Sequence, residues 1–251
     1  MSANVRKIIV MAKNIGIIKF RGALGDLVSY ERNGKQVLQR KGGFNGERIK
    51  TEARYEGTRK RQSEFGLCAR ISSLLHKTFA EELGALPTPM VYNFIQSQVM
   101  AVKNCDVSSE KGQKTFAKGL LTEEGRALFA RFQFHVGASL FDAVTVVSPY
   151  NPVDGTLAVQ LAPTFTKKAF PYGLTLTVVA FDFETLGVAV TRSSVAWVTD
   201  AATVVSLVAL PEKQAGCRMV FLSVLKGQPT GVLPVWFRDK SNVMGVVDLL
   251  W

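Results

Sequence analysis

The 251-residue chain reads as an α+β protein: an N-terminal β-hairpin with a basic arm, a short helical segment, and a C-terminal antiparallel β-sandwich, Ig-like or jelly-roll-like. Three observations predict this. Asn33-Gly34 joins two runs of strand formers, apolar residues recur at helical spacing between Thr58 and Lys103, and from Phe132 onward short runs rich in Val, Thr, Phe and Leu are separated by turn sequences. The expected divisions are 1–57 for the hairpin and arm, 58–131 for the helices and 132–251 for the sandwich.

The hairpin is the sharpest local signal. Leu27 to Arg32 and Lys35 to Arg40 flank Asn33-Gly34, and a type I′ turn needs positive φ at both central positions, which Asn and Gly tolerate. Ile15 to Arg21 is a third strand candidate, with Gly22 and Gly25 supplying the bend. Two or three strands alone are barely stable in water, so this element must pack on something. Residues 41–57 hold four glycines and no regular period, which predicts a long connecting arm.

Thr58 offers an N-cap, and Phe65, Cys68, Ala69, Ser72, Leu75 and Phe79 follow at helical spacing, which predicts a helix to about Leu83. Gly84 ends it, and Pro87 and Pro89 lead to a second helix from Pro89 to Lys103. Thr122 caps a last helical stretch through Phe129. Strands are then expected at Phe132–Leu140, Ala143–Val147, Gly155–Leu161, Leu174–Phe183, Gly187–Trp197, Thr203–Leu210, Cys217–Leu225, Val232–Phe237 and Val243–Trp251, with Pro234 marking an edge strand.

Charge divides the chain unevenly. Residues 1–77 carry 17 Lys and Arg against 6 Asp and Glu, so the net charge of +11 is N-terminal. Cys68, Cys105 and Cys217 are odd in number and far apart, which argues against a disulfide framework or zinc spacing and for small buried hydrophobes. The apolar run Ile8 to Met11 is too short for a signal-peptide core, and no run is long enough to span a bilayer. Synthesis in the cytoplasm without a signal peptide is expected, so membership of an extracellular or viral assembly would need lysis or dedicated export. Met11 also reads as an alternative start, which makes residues 1–10 optional.

No catalytic, cofactor or metal constellation emerges. His76 and His135 lack partners at ligand spacing, the pairing of His135 with Ser139 or Asp142 has no motif behind it, and Asp182 with Glu184 or Glu123 with Glu124 reads as turn or surface carboxylates. Gly112 to Thr115 lacks the glycine spacing of a phosphate loop. The expectation is a non-enzymatic protein with no cofactor.

Residues 15–70 hold the distinctive sequence. A Gly-rich opening, the hairpin with Asn33-Gly34-Lys35, the Lys41-Gly42-Gly43 run, Arg48-Ile49, Thr58-Arg59 and Glu64-Phe65-Gly66 together resemble an uncharacterised bacterial protein family, a domain of unknown function. The resemblance implies that hairpin, arm and helix start form a unit, and carries no activity with it.

The function expected from these features is a structural subunit that self-assembles into a filament, tube or virion-like particle. Tyr30, Phe44, Ile49, Tyr55 and Trp251 would be apolar anchors at the interface between copies, and Arg48, Arg54, Arg59 and Arg61 would pair with acidic rims. A nucleic-acid-binding arm using Arg48, Lys50, Arg54, Arg59, Lys60 and Arg61 is the alternative, although Glu47, Glu52, Glu56 and Glu64 are interspersed. A second alternative is a carbohydrate- or cell-surface-binding sandwich, with Tyr150, Tyr172, Trp197 or Trp236 as stacking rings. Exposure of those rings discriminates it.

Overall fold

The computed structural model of the chain describes residues 11–13, 20–32, 34–40, 46–88, 90–135, 139–165, 170–200, 203–210, 216–230 and 233–250. The chain divides into two units, Met1–Arg59 and Lys60–Trp251.

The N-terminal unit is built on a four-stranded antiparallel sheet of β1 (Met11–Lys13), β2 (Gly22–Leu24), β3 (Leu27–Arg32) and β4 (Lys35–Arg40), in the order β1-β4-β3-β2. Arg32 pairs with Lys35, which leaves the expected two-residue turn, and Gly34 has φ +72° as that turn requires. A second tight hairpin precedes it. Leu24 pairs with Leu27 across Gly25-Asp26, and φ of +55° at Gly25 fits a II′ turn, where Gly takes the first central position. The expected strand at Ile15 to Arg21 falls mostly outside the described residues.

The arm is not irregular from Gly46 on. Residues Gly46–Thr51 form α1, followed by a single 3-10 turn at Ala53–Tyr55. Its glycines conceal a charge pattern that suits a helix: Glu47 lies in the first turn, Arg48 and Lys50 in the last, and the pairs Glu47–Lys50 and Arg48–Glu52 span one turn. Arg59 then donates to the carbonyls of Ile49 (2.7 Å) and Glu52 (2.9 Å), so it serves as a cap for the end of this helix.

The second unit has three layers. The middle layer is a six-stranded antiparallel sheet centred on β7 (Tyr172–Asp182) and β11 (Cys217–Gln228). The outer edge of β11 is shared by β13 (Val243–Leu250) and, further along the strand, β12 (Val235–Trp236); the outer edge of β7 is shared in the same way by β8 (Gly187–Arg192) and β9 (Ala196–Val198). The third layer is a sheet ordered β10 (Val204–Val208), β6 (Thr156–Leu161), β5 (Val144–Ser148). The first layer holds α2 (Glu56–Thr78), α3 (Ala80–Ala85), α4 (Val91–Asn104), α5 (Phe116–Leu121) and α6 (Glu123–Ala130), while the short α7 (Leu140–Ala143) leads into β5.

Alternation along the central strands assigns two cores. Val179, Phe181, Cys217, Met219 and Phe221 face the helices, with Leu75, Phe79, Ile95, Phe129 and Phe134. Leu174, Leu176, Val178, Val220, Leu222 and Val224 face the three-stranded sheet, with Leu157, Val159, Leu161 and Leu207. Nearly every residue of β7 is therefore buried, which explains its continuous apolar run. An extra residue, Val247, sits opposite the Val220/Phe221 step of β11, and this bulge shifts the alternation of β13 by one, so that Leu249 joins Met244 and Val246 on the helix side and Leu250 joins Val243 on the other.

Three expectations change. Among the described residues of Phe132–Leu140 there is no strand: Gln133 makes an isolated bridge to Gly245, the Phe134 N–H donates to the Met244 carbonyl, the Phe132 carbonyl accepts from the Val246 N–H, and on the other edge the Gln98 side chain accepts from the Gln133 N–H (3.0 Å) and donates to its carbonyl (2.6 Å). Ser139 then caps α7. Gly187–Trp197 is two strands, because Ser193 takes over the pairing with Leu176 between them through its N–H and its hydroxyl. The first helix starts at Glu56, with Thr58 inside it, and breaks at Phe79, whose φ of −109° leaves the helical region.

Candidate functional site

Two places in the molecule stand out by their exposure and lining. The first is the N-terminal sheet. Ser29 is buried, while Leu24 is 66% exposed, Leu27 is exposed, and the described residues of β2, β3 and β4 are otherwise half-buried or exposed. Polar bonds hold the sheet instead: Tyr30 Oη to Gln39 Oε1 at 3.2 Å, Gln36 Nε2 to Ser29 Oγ at 3.1 Å, and the Arg21–Glu31 ion pair.

Of the anchors expected here, Tyr30, Ile49 and Tyr55 are half-buried, whereas Phe44 and Trp251 lie outside the described residues. The cations are mostly engaged within their own segment. Arg48 and Arg54 both pair with Glu52, Lys50 pairs with Glu47 at 3.1 Å, Arg59 binds backbone carbonyls, and Arg54 also lies over the Tyr55 ring. The Arg48 guanidinium beside it holds Glu52 below its ordinary range. Arg61 and Lys60 are exposed at the start of α2. These pairings shrink the free positive field that a phosphate backbone would meet.

The residues weighed for chemistry are held by structural duties. Ser139 and Asp142 form the capping box of α7, Asp182 accepts from the N–H groups of Glu184 and Thr185 in a turn, and the His76 ring meets Tyr92 edge-on at 5.9 Å. All three cysteines are buried and free, and burial pushes the thiols of Cys68 and Cys217 up to about 11 and about 12. Tyr150 and Tyr172 are buried, their hydroxyls bound to Ala209 O (3.0 Å) and Ser241 Oγ (2.7 Å), so neither can serve as an exposed stacking ring.

The second place is a cleft that the sequence does not announce. It lies between the α2–α3 junction and the part of the central sheet formed by Thr175, Arg192 and Trp236. There Gly173 and Gly227 present no side chain, and the Trp236 ring fills the space above them: a Cβ on Gly173 would lie 2.6 Å from it, and one on Gly227 2.8 Å. Trp197 packs at 5.5 Å from Trp236 with planes 31° apart, and both rings are half-buried. Beside them, Thr175, Ser193, Arg192, Glu82 and Trp236 line a cleft of about 390 Å³.

Glu82 gives this cleft its chemistry. It is 7% exposed, its Oε1 lies 3.4 Å from Arg192 Nε, and its Oε2 has no hydrogen-bond partner. Burial pushes its carboxyl above the ordinary range despite Arg192. Arg192 also donates to the Thr78 carbonyl, which the helix break at Phe79 leaves open. Sequence pattern alone places Glu82 in a helix with nothing to distinguish it.

Neither family models, curated proteins nor solved structures yield a match to this chain. Among the described residues no helix is long and apolar enough to cross a membrane.

Proposed function

We propose that the chain is a non-enzymatic structural subunit whose N-terminal unit docks on another macromolecule, in the first place another copy of itself. One observation carries this reading: β2, β3 and β4 fully bury no residue but Ser29 and leave Leu24 and Leu27 exposed, whereas a sheet needs a covered face to be stable. The missing cover is supplied by a partner in this reading. A surface of the second unit supports it. The outward face of the three-stranded sheet consists of Thr145, Val147, Thr156, Ala158, Gln160, Val204, Ser206 and Val208, with no charge to discourage strand or sheet contact.

An arm that meets a different patch on its neighbour generates rings or filaments rather than closed dimers. Light scattering on the full chain and on a form lacking residues 1–57 tests the reading. The full chain is expected to assemble and the shortened form to be a soluble monomer. The same number of subunits per particle in both would refute it.

A further inference from the structure

We propose that the cleft between Glu82, Arg192, Thr175 and Trp236 is a binding site for a neutral sugar ring. The site is independent of assembly and stands on its own geometry. Its volume of about 390 Å³ falls within the roughly 300–1,000 Å³ of small-molecule sites, so one or two rings fit.

The polar groups choose the ligand. Glu82 lines the cleft with a carboxyl group, one oxygen of which, Oε2, has no donor. Arg192 spends one N–H on Thr78 and sets another near Glu82 Oε1, which leaves others for an acceptor. A ligand must therefore donate and accept within a few ångströms. Vicinal hydroxyls do both, since each is one donor and two acceptors.

Charge excludes the competing classes. Lys77 and Arg192 oppose a cationic side chain, while Glu81 and Glu82 oppose a carboxylate or phosphate, and the four formal charges cancel. The wall completes the match. Trp236 is held by Gly173 and Gly227 and backed by Trp197, so it is a fixed apolar surface for the C–H face of a ring. Thr175 adds a hydroxyl on the floor.

The test is isothermal titration of the full chain, with tryptophan fluorescence in parallel, against glucose, galactose, mannose, N-acetylglucosamine and cellobiose, and against lysine amide and acetate as charged comparators. Saturable binding of at least one sugar is expected, weakened about tenfold or more in Glu82→Gln and in Arg192→Gln, with circular dichroism unchanged. The fluorescence response should vanish in Trp236→Ala, and Trp236→Phe should restore part of the affinity. No saturable response to any of the sugars up to about 50 mM, equal affinity in both polar variants, or preferential binding of lysine amide or acetate would overturn the proposal.

Discussion

Lys103 and Glu64 show how a single pair can anchor one layer of the molecule. Their side chains are almost fully buried, Lys103 Nζ lies 2.7 Å from Glu64 Oε2, and the Gly112 N–H donates to Oε1 at 2.6 Å. Burial alone would raise the Glu64 carboxyl, but the bonds from Lys103 and Gly112 outweigh it and hold it below the ordinary range. Removing one partner leaves a buried charge uncompensated, which is the expensive way to break such a pair. Lys103→Met is therefore expected to destabilise the fold by about 3–5 kcal/mol, and Glu64→Gln added to it to recover much of that loss. Chemical denaturation checks both, and a loss below about 1 kcal/mol for Lys103→Met would contradict the assignment. In the sequence these two residues look like ordinary solvated charges thirty-nine positions apart, because only packing brings α2 against α4.

At the level of elements, α4, α5 and α6 approach so closely that side chains would prevent it. A Cβ on Gly119 would overlap the Val102 carbonyl, and one on Gly125 the carbonyl of Gly119. Thr115 and Thr122 fix where these short helices start, each hydroxyl accepting an N–H three residues on. Gly119→Ala is expected to cost about 2–3 kcal/mol or more, since the obstacle is backbone and cannot rotate away. Thermal unfolding measures this, and an unchanged midpoint would show that the helices can shift apart. Here the sequence is partly legible. The Thr122 cap can be read from residue type, but α5 escapes because six residues give too little periodicity to register. Strand positions at β3, β4, β6, β10 and β13 follow from alternation or turn chemistry, within a residue or two of their observed ends. Phe132–Leu140 fails for a nonlocal reason: it has strand composition, but its described residues touch β13 only around Gln133, whose other edge is closed by the Gln98 side chain.

For the whole molecule, the acid limit of stability follows from its buried carboxylates. Asp106 is fully buried, which opposes ionisation, yet four bonds from Thr115 N, Ser108 N, Ser108 Oγ and Ser109 N lower it to about 2. Asp239 is also lowered, first by the Ser241 hydroxyl and further by Lys226. Groups depressed in the folded state stabilise it above their unfolded values near pH 4, and that stability is lost as pH falls toward the folded values. Glu82 acts in the opposite sense, since its raised carboxyl favours the folded state less as pH rises past about 4.5. The denaturation midpoint is therefore expected to decline from pH 4 to pH 2, with Asp106 alone contributing on the order of 1–2 kcal/mol. A midpoint constant from pH 5 to pH 2 would rule this out.

By itself, the sequence determined the local grammar of this protein: the Asn33-Gly34 hairpin, the two main helical stretches, the alternating strands and the basic N-terminal third. Those depend on backbone preferences and on the period of apolar residues, which neighbours in the chain carry between them. Only the tertiary structure decided that the central sheet is covered on both faces, that Glu64 meets Lys103, and that Gly173, Gly227, Trp236, Arg192 and Glu82 surround one cleft. Such meetings join residues up to about 150 positions apart, and side-chain packing, which no local pattern encodes, selects them.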